Sequence, residues 1–226
     1  RALVYTFHSS VAKQWQRGRL MIAGDAAHQT PPFMGQGMCA GIRDGFNLGW
    51  KLDRILKGQA TIDLLRTYQS EREPHVREFI SLTVQMGHLI NTTASSLVSG
   101  SASKTTNGAQ KLSQLRPKLG QGLSACRTEW TGHLFPQPRL QTGELLDDRV
   151  GRRPAVLMKA DFSYQLPTDL KKEMVSADVV AIDDPSPALQ GWFSDKNVNA
   201  VLMRPDRYIL GAAETVDEVR ELILAS

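Results

Sequence analysis

The sequence predicts an α/β fold in which two folded regions are separated by a linker. A short apolar run at Leu20–Ala23 ends in a turn signal and is followed by a helical pattern over about 39–56. A second series of strand and helix patterns starts near Arg153. Residues 91–125 are rich in Ser, Thr, Gly, Asn and Lys, which is typical of a linker. A short helix is predicted within it near Ala109–Leu115.

The first region reads as strands followed by two helices. Residues 1–10 alternate and contain Val, Tyr, Thr and Phe, which predicts a strand. The run Leu20–Ala23 predicts a buried strand of a parallel sheet. Apolar residues at helical spacing predict helices over about 39–56 and 62–90, and Pro74 is expected to kink or divide the second one.

The last part of the chain has the pattern of a small α/β domain. Strand-like runs occupy residues 154–158 and 179–182. Residues 200–210 predict a hairpin that turns at Pro-Asp-Arg. The amphipathic segment 216–224 predicts a closing helix, with acidic residues in its first half where they favour the helix dipole.

Composition excludes several classes of function. The 27 basic and 23 acidic residues give a net charge of +4, and the basic residues do not form the clusters that nucleic-acid binding requires. No apolar run approaches the roughly 20 residues of a membrane-spanning helix. The widely separated Cys39 and Cys126 predict neither a disulfide framework nor a metal site, and favour the cytoplasm. The histidines form no metal-binding pattern, so no metal is expected.

The segment from Gly24 to Leu52 carries the chemistry. Gly24 ends an apolar run, where the backbone can approach a ligand closely. Asp25 follows the strand, in the usual ligand crevice of an open α/β sheet, and can accept hydrogen bonds from sugar-like hydroxyls. Gly35-Gln36-Gly37 places backbone N–H groups just before a helix, and a helix N-terminus stabilises an anion. A polyol contact beside an oxyanion contact suits a flavin.

This segment resembles the second FAD fingerprint of the class A flavoprotein aromatic hydroxylases, the relatives of para-hydroxybenzoate hydroxylase and phenol hydroxylase. The matching residues are Gly24, Asp25, Ala26, Ala27, His28, Pro31, Pro32, Gly35, Gly37, Asp44, Asn47, Leu48, Trp50, Lys51 and Leu52. The segment Tyr68–His75 is similar to the Tyr-x-x-Glu-Arg segment of the family. Within the family, Val4–His8 and Val201–Tyr208 are most similar to the 3-(3-hydroxyphenyl)propionate hydroxylases.

The resemblance implies roles for individual positions. Asp25 would hold the ribityl hydroxyls of FAD, the backbone of Gly35–Met38 would face the pyrimidine edge of the isoalloxazine, and Pro32 would lie where flavin and substrate meet. Asn is common in the family where Met38 stands, so a side-chain contact is not expected there. The predicted cofactor-binding residues are Gly24, Asp25, Pro32, Gly35, Gln36, Gly37 and Met38. No side chain of this chain is predicted to be catalytic.

The resemblance also implies a domain order. Residues 1–90 would be the C-terminal part of an FAD-binding, Rossmann-like domain, residues 91–137 a linker, and residues 138–226 a thioredoxin-like domain. That last domain lacks a CxxC pair, so packing or oligomer contact is expected of it instead of thiol redox chemistry. The Gly-x-Gly-x-x-Gly that would bind the pyrophosphate of FAD is not in the sequence. We therefore expect the missing N-terminal part or a second copy to cover the apolar face of the fingerprint helix.

The predicted function is part of a monooxygenase that uses FAD, NAD(P)H and O2 to hydroxylate a phenolic small molecule. Two alternatives stay open: a non-catalytic assembly module with an incomplete flavin site, and a flavin epoxidase or halogenase on the same scaffold.

Several polar and aromatic residues of the segment are expected to be structural. Asp44 and Lys51 are expected to lie in salt bridges or on an exposed helix face, His28 to line the loop, and Phe46 and Trp50 to belong to the core.

Overall fold

The computed structural model describes residues 6–98, 117–123 and 128–225. The chain divides into two compact units, Arg1–Gly120 and Gln121–Ser226. Residues 1–5 of the predicted first strand, and the predicted helix at 109–115, lie outside the described residues. The predicted domain boundaries at 90 and 137 remain predictions.

Two long helices form most of the first unit. Helix α1 spans Gly37–Leu56 and helix α2 spans Arg66–Val98, with a 3-10 turn at Ile62–Leu65 before it. Both predicted helices are confirmed, and the second extends beyond its predicted end. Pro74 lies inside α2 without dividing it.

Only short strands precede these helices. They are β1 (Ser10–Val11) with β4 (His28–Gln29), and β2 (Gln16–Arg17) with β3 (Leu20–Met21), each pair antiparallel. The prediction of a buried parallel strand at Leu20–Ala23 is wrong, because β3 pairs antiparallel with β2 and Leu20 is 77% exposed. The reason is Gly18, whose φ of +60° turns the chain back on itself just before the apolar run. Residues 6–9 of the predicted first strand are not in a strand either.

A small core holds these strands against the helices. Trp15 and Tyr68 are buried with their rings 5.6 Å apart, and Ala27 and Val76 complete the cluster. The Tyr68 hydroxyl donates to the carbonyl oxygen of Ile22 at 3.0 Å, so helix α2 is tied directly to the chain just before Gly24.

The second unit is a four-stranded mixed sheet with helices on both faces. Its strands are β5 (Ala155–Met158), β6 (Val180–Ile182), β7 (Ala200–Met203) and β8 (Ile209–Ala213). Its helices are α3 (Leu146–Val150), α4 (Ala160–Ser163), α5 (Thr168–Ser176), α6 (Pro187–Lys196) and α7 (Val216–Leu224). The order in the sheet is β6-β5-β7-β8, with β5 and β6 parallel and the other pairs antiparallel. This is the predicted thioredoxin-like arrangement, with the predicted hairpin and closing helix in place.

The central strands of this unit divide their side chains between two cores. Leu157 packs with Leu189 and Phe193 on one face of the sheet, while Val156 packs with Leu170 and others on the opposite face. Both faces of the sheet are therefore covered by apolar side chains, which explains the uninterrupted apolar runs of β5 and β7. Residues 159–179, which connect β5 to β6, contain no cysteine.

In the part of the chain that the structure describes, none of the helices has the length and apolar character needed to span a membrane.

Candidate functional site

The segment after β3 forms a tight turn with a carboxylate at its tip. Gly24–Ala26 is a single 3-10 turn, and Gly24 has a φ of +58°. Asp25 is exposed, whereas Ala27 and His28 are buried. A Cβ on Gly41 would lie 3.2 Å from the Gly24 Cα, so the turn rests directly on the second turn of α1. The positive φ favours glycine at position 24, and the tight contact favours glycine at position 41; together they place the Asp25 turn against α1.

One buried carboxylate fixes both ends of this turn. Asp44 Oδ2 accepts a hydrogen bond from the Gly24 N–H at 2.9 Å and lies 2.7 Å from His28 Nε2. Asp44 Oδ1 accepts from Arg72 Nε of helix α2 at 2.8 Å. The side chains of Asp44 and Arg72 are fully buried and that of His28 is 1% exposed. The turn therefore cannot shift without breaking buried, charge-assisted hydrogen bonds.

The charges around this carboxylate keep it ionised. Burial raises the pKa of Asp44, but the hydrogen bond from His28 and the positive charge of Arg72 outweigh burial and leave the pKa below its usual value. The same positive charge of Arg72 also helps to keep His75 neutral. Burial first, and then the charges of Arg72 and Arg43, lower the pKa of His75 to about 2. His75 is therefore neutral in the folded protein at any physiological pH.

A second buried ion pair lies further along the same two helices. Lys51 Nζ donates to Glu71 Oε2 at 2.7 Å and to Asn47 Oδ1 at 2.8 Å. Asn47 Nδ2 also donates to Glu71 Oε2, at 2.9 Å. The Lys51 and Glu71 side chains are at most 1% exposed. These polar contacts join α1 to α2 in addition to the packing of Leu48 against the Tyr68–Val76 cluster.

Helix α1 consequently buries polar residues and exposes large apolar ones. Its buried residues are Ala40, Asp44, Asn47 and Lys51, whereas Met38, Ile42 and Phe46 are 76%, 51% and 59% exposed. The expectation that Asp44 and Lys51 form salt bridges is confirmed, and both are buried. The expectation that Phe46 belongs to the core is wrong, because the face toward α2 is taken by the polar stripe. The apolar face of this helix, for which the sequence predicts a cover from the missing N-terminal part or a second copy, is exposed in the chain itself.

The loop before α1 presents backbone groups to solvent. Pro32–Met34 is a 3-10 turn closed by the Gly35 N–H, which donates to the Pro32 carbonyl at 2.9 Å, and Gly35 has a φ of +62°. Gln36 is the N-cap residue of α1 but makes no side-chain cap, and its Oε1 instead accepts from Arg43 at 3.4 Å. The first N–H groups of α1 therefore have no side-chain cap. A Cβ on Gly35 or Gly37 would meet nothing within 4 Å, so there is space for a ligand at this helix end.

The structure thus brings the predicted site residues into one region of the first unit. Gly24 and Asp25 form the turn that rests on α1, and Pro32, Gly35, Gln36, Gly37 and Met38 form the loop and first turn of the same helix. Asp44, Arg72 and Glu71 were not predicted to support this region. The signal that reveals them is the spacing of Asp44, Asn47 and Lys51, which repeats every three to four residues like a buried stripe.

Across the described residues, no group of three or more His, Cys, Asp or Glu side chains is placed to hold a metal ion.

Two family matches agree with the two units. Residues 2–83 match the FAD binding domain family, and residues 158–225 match the HcaD C-terminal domain family. The first match contains the Asp25 turn, the Pro31–Pro32 loop and helix α1.

Curated relatives match along the whole chain. A 3-(3-hydroxy-phenyl)propionate/3-hydroxycinnamic acid hydroxylase of Mycolicibacterium vanbaalenii is 35% identical, over 100% of this chain and 47% of its own length. A probable NADH-specific resorcinol 4-hydroxylase of Rhodococcus jostii is also 35% identical, over 100% of this chain and 46% of its own length. The chain therefore spans about half the length of the curated relatives it matches.

Solved structures share the fold at lower identity. The rebeccamycin biosynthetic enzyme RebC, solved with reduced flavin, superimposes with a TM-score of 0.69 at 21% identity, covering 96% of this chain and 47% of that one. The flavin-dependent monooxygenase PieE, solved with FAD and substrate, gives a TM-score of 0.67 at 20% identity, covering 98% of this chain and 49% of that one.

Proposed function

We propose that this chain, whose residues 2–83 match the FAD binding domain family and which is 35% identical to two hydroxylases, supplies the ribityl- and pyrimidine-facing part of a flavin site. The observation that carries the proposal is the Asp25 turn, which Asp44 fixes at both ends and which rests on the same helix whose N-terminus is open to a ligand. Asp25 is exposed at the tip of a rigid turn, as a group that binds hydroxyls from solvent must be.

The residues present fit FAD. The carboxylate of Asp25 would accept hydrogen bonds from the ribityl hydroxyls. The backbone N–H groups from Gly35 to Met38 would face the pyrimidine edge, where the positive end of the α1 dipole stabilises negative charge on the ring. The open space at Gly35 and Gly37 admits a flat ring close to the backbone. Gly24 would let the backbone approach the cofactor. FAD, when bound and reduced by NAD(P)H, supplies the oxygen-activating chemistry of the reaction.

The names of two relatives support a proposal for the substrate class. Both relatives named above are described as hydroxylases of benzene rings that bear a hydroxyl and a second substituent at the meta position. We infer that the substrate is a meta-substituted phenol that approaches the flavin beside Pro32. The role of the chain here is to position the flavin and to shape one wall of a dry pocket, since none of its side chains need act as an acid or base.

The exposed apolar face of α1 needs a cover in the working enzyme. Met38, Ile42 and Phe46 lie on one face at a spacing of four. We propose that the part of the relatives' length that this chain does not match, or a second copy of this chain, covers this face. The thioredoxin-like unit would serve packing or oligomer contact, and a reducing cytoplasm suits the widely separated cysteines.

Turnover tests the proposal. The chain is joined to the half of the Mycolicibacterium vanbaalenii relative that has no counterpart here, and the protein is purified with its flavin spectrum recorded. The expected result is a yellow protein whose NADH or NADPH oxidation rises with 3-(3-hydroxyphenyl)propionate or resorcinol and yields hydroxylated product. A colourless protein that stays flavin-free after incubation with FAD would instead support the assembly-module alternative. A halogenated or epoxidised product would support the other alternative.

A further inference from the structure

The ring of Phe33 rests directly on the backbone of helix α2. A Cβ built on Gly87 would lie 2.5 Å from Phe33 Cε2 and 2.7 Å from Phe33 Cδ2, closer than a real Cβ can approach. Gly87 is buried inside α2, where glycine is otherwise a poor helix residue. No turn or positive φ requires glycine at this position, since its backbone is helical. The contact with Phe33 is therefore the structural reason for glycine there.

Gly87 ends a stripe on α2 that faces the proposed flavin region. His75, Phe79, Thr83 and Gly87 follow one another at a spacing of four and are all buried. His75 and Phe79 stack with ring centroids 5.0 Å apart, and the guanidinium of Arg43 from helix α1 lies 5.5 Å from the centre of the Phe79 ring. The turn Pro32–Met34 packs against this helix. Phe33 is thus the side chain by which the turn is seated on α2.

The contact between Phe33 and Gly87 controls the position of the neighbouring backbone. Pro31 and Pro32 restrict the chain on one side of Phe33, and the Gly35-to-Pro32 hydrogen bond closes the turn on the other. A shift of the Phe33 ring is therefore passed to Pro32 and to the N–H groups at the start of α1. We propose that the Phe33–Gly87 contact is a positioning contact that sets the height of the flavin-facing turn and thereby discriminates between phenols of different size. This inference rests on the proposed flavin site.

Hydrogen exchange of the Gly35 amide tests the first half of the proposal on the flavin-free chain. This amide closes the turn, so its exchange reports whether the turn is held. In Gly87→Ala the new methyl group displaces the Phe33 ring, and because Phe33 is 40% exposed we expect the ring and its turn to move outward together while the protein still folds. We expect the Gly35 amide to exchange about tenfold faster in Gly87→Ala and in Phe33→Ala. The matched control is Gly49→Ala in helix α1, where a Cβ meets nothing within 4 Å and the exchange rate should stay unchanged.

A double variant separates the contact from general destabilisation. Once Phe33 is alanine, a methyl group at position 87 has no ring to displace, so Gly87→Ala should add nothing to Phe33→Ala. Additive effects of the two changes, or an unchanged Gly35 exchange rate in Gly87→Ala, would overturn the proposal.

Specificity tests the second half on the joined, flavin-containing protein. Gly87→Ala should alter the ratio of kcat/KM for resorcinol to kcat/KM for 3-(3-hydroxyphenyl)propionate by about threefold or more, while Gly49→Ala leaves the ratio unchanged. A faster Gly35 exchange with an unchanged ratio would overturn the specificity claim alone. Absence of hydroxylated product in the wild-type joined protein would count against the proposed function, and the exchange results would still decide whether the contact holds the turn.

Discussion

Asp44 and His28 join helix α1 to the far end of the turn that presents Asp25, with 2.7 Å between Asp44 Oδ2 and His28 Nε2. The same oxygen accepts from the Gly24 N–H at 2.9 Å, so one carboxylate oxygen closes the turn from both sides. Asp25, which would bind the cofactor, is exposed, whereas Asp44, which fixes the turn, is buried. Asp44 therefore holds the turn rigid while Asp25 stays accessible to a ligand.

The first prediction concerns this buried carboxylate. Asp44→Asn removes the charge that the buried Arg72 guanidinium contacts at 2.8 Å, and breaking a buried ion pair typically costs about 3–5 kcal/mol. We expect the free energy of unfolding, measured by urea titration, to fall by about 3 kcal/mol. The matched control on the same helix is Asp53→Asn, whose surface pair with Lys57 should contribute no more than about 0.5 kcal/mol. Equal effects of the two substitutions would show that Asp44 does not hold the turn.

The second prediction concerns the pair between the two long helices. Lys51→Met leaves the buried Glu71 carboxylate without the ammonium group at 2.7 Å, and we expect a loss of about 3 kcal/mol in unfolding free energy. Adding Glu71→Leu should recover part of that loss, because an apolar pair replaces the orphaned charge. Lys57→Met is the control, since its partner Asp53 is on the surface. A double variant less stable than Lys51→Met would contradict this account.

The third prediction is a pH dependence set by His75. Its folded pKa of about 2 is below the ordinary 6.5, so the unfolded chain binds the proton first as the pH falls. Stability is then full above about pH 6.5 and decreases below it, by at most about 1.4 kcal/mol per pH unit. Asp44 has a depressed pKa, so its contribution is present above about 3.8 and disappears only at more acid pH.

Between pH 4 and 6.5, therefore, the free energy of unfolding should change through the titration of His75 and not through that of Asp44. Urea titrations of the wild type and of His75→Gln across this interval should converge as the pH falls, because the variant lacks the titrating group. Parallel curves would mean that His75 is not held neutral in the fold. Arg72 and Arg43 are the charges that oppose its protonation, and Asp44 is the charge that favours it.

Local sequence signals predicted those elements whose pattern depends on the chain itself. Helix α7 (Val216–Leu224) matches its prediction to the residue, because Thr215 and Glu218 form a capping box that defines its start. The β7–β8 hairpin was predicted from its Pro-Asp-Arg corner. The site residues from Gly24 to Met38 were predicted from their resemblance to a fingerprint. The structure places Gly24 and Asp25 in a turn that rests on helix α1, and Pro32–Met38 in the loop and first turn of that helix.

The features that the sequence did not predict depend on partners distant in the chain. The apolar run Leu20–Ala23 reads as a buried strand, but strand pairing depends on neighbours that a single run does not specify. Helix α1 places polar residues inward because Glu71 and Arg72 on helix α2 supply their partners. The Phe33–Gly87 contact joins residues far apart in sequence, and nothing at either position reveals the other.

The central claim is that the Asp25 turn and the start of α1 form part of a flavin site, and amide chemical shifts during a titration with FAD test it most directly. The chain is labelled with nitrogen-15 and FAD is added to about 1 mM, which detects weak binding. We predict shifts at Gly24 and Gly35–Met38. Asp25→Ala should weaken binding about tenfold or more, because hydrogen bonds to a charged group contribute about 1.5–3 kcal/mol, and Asp53→Ala should not change it. Shifts absent at 1 mM FAD, or unaffected by Asp25→Ala, would contradict the claim.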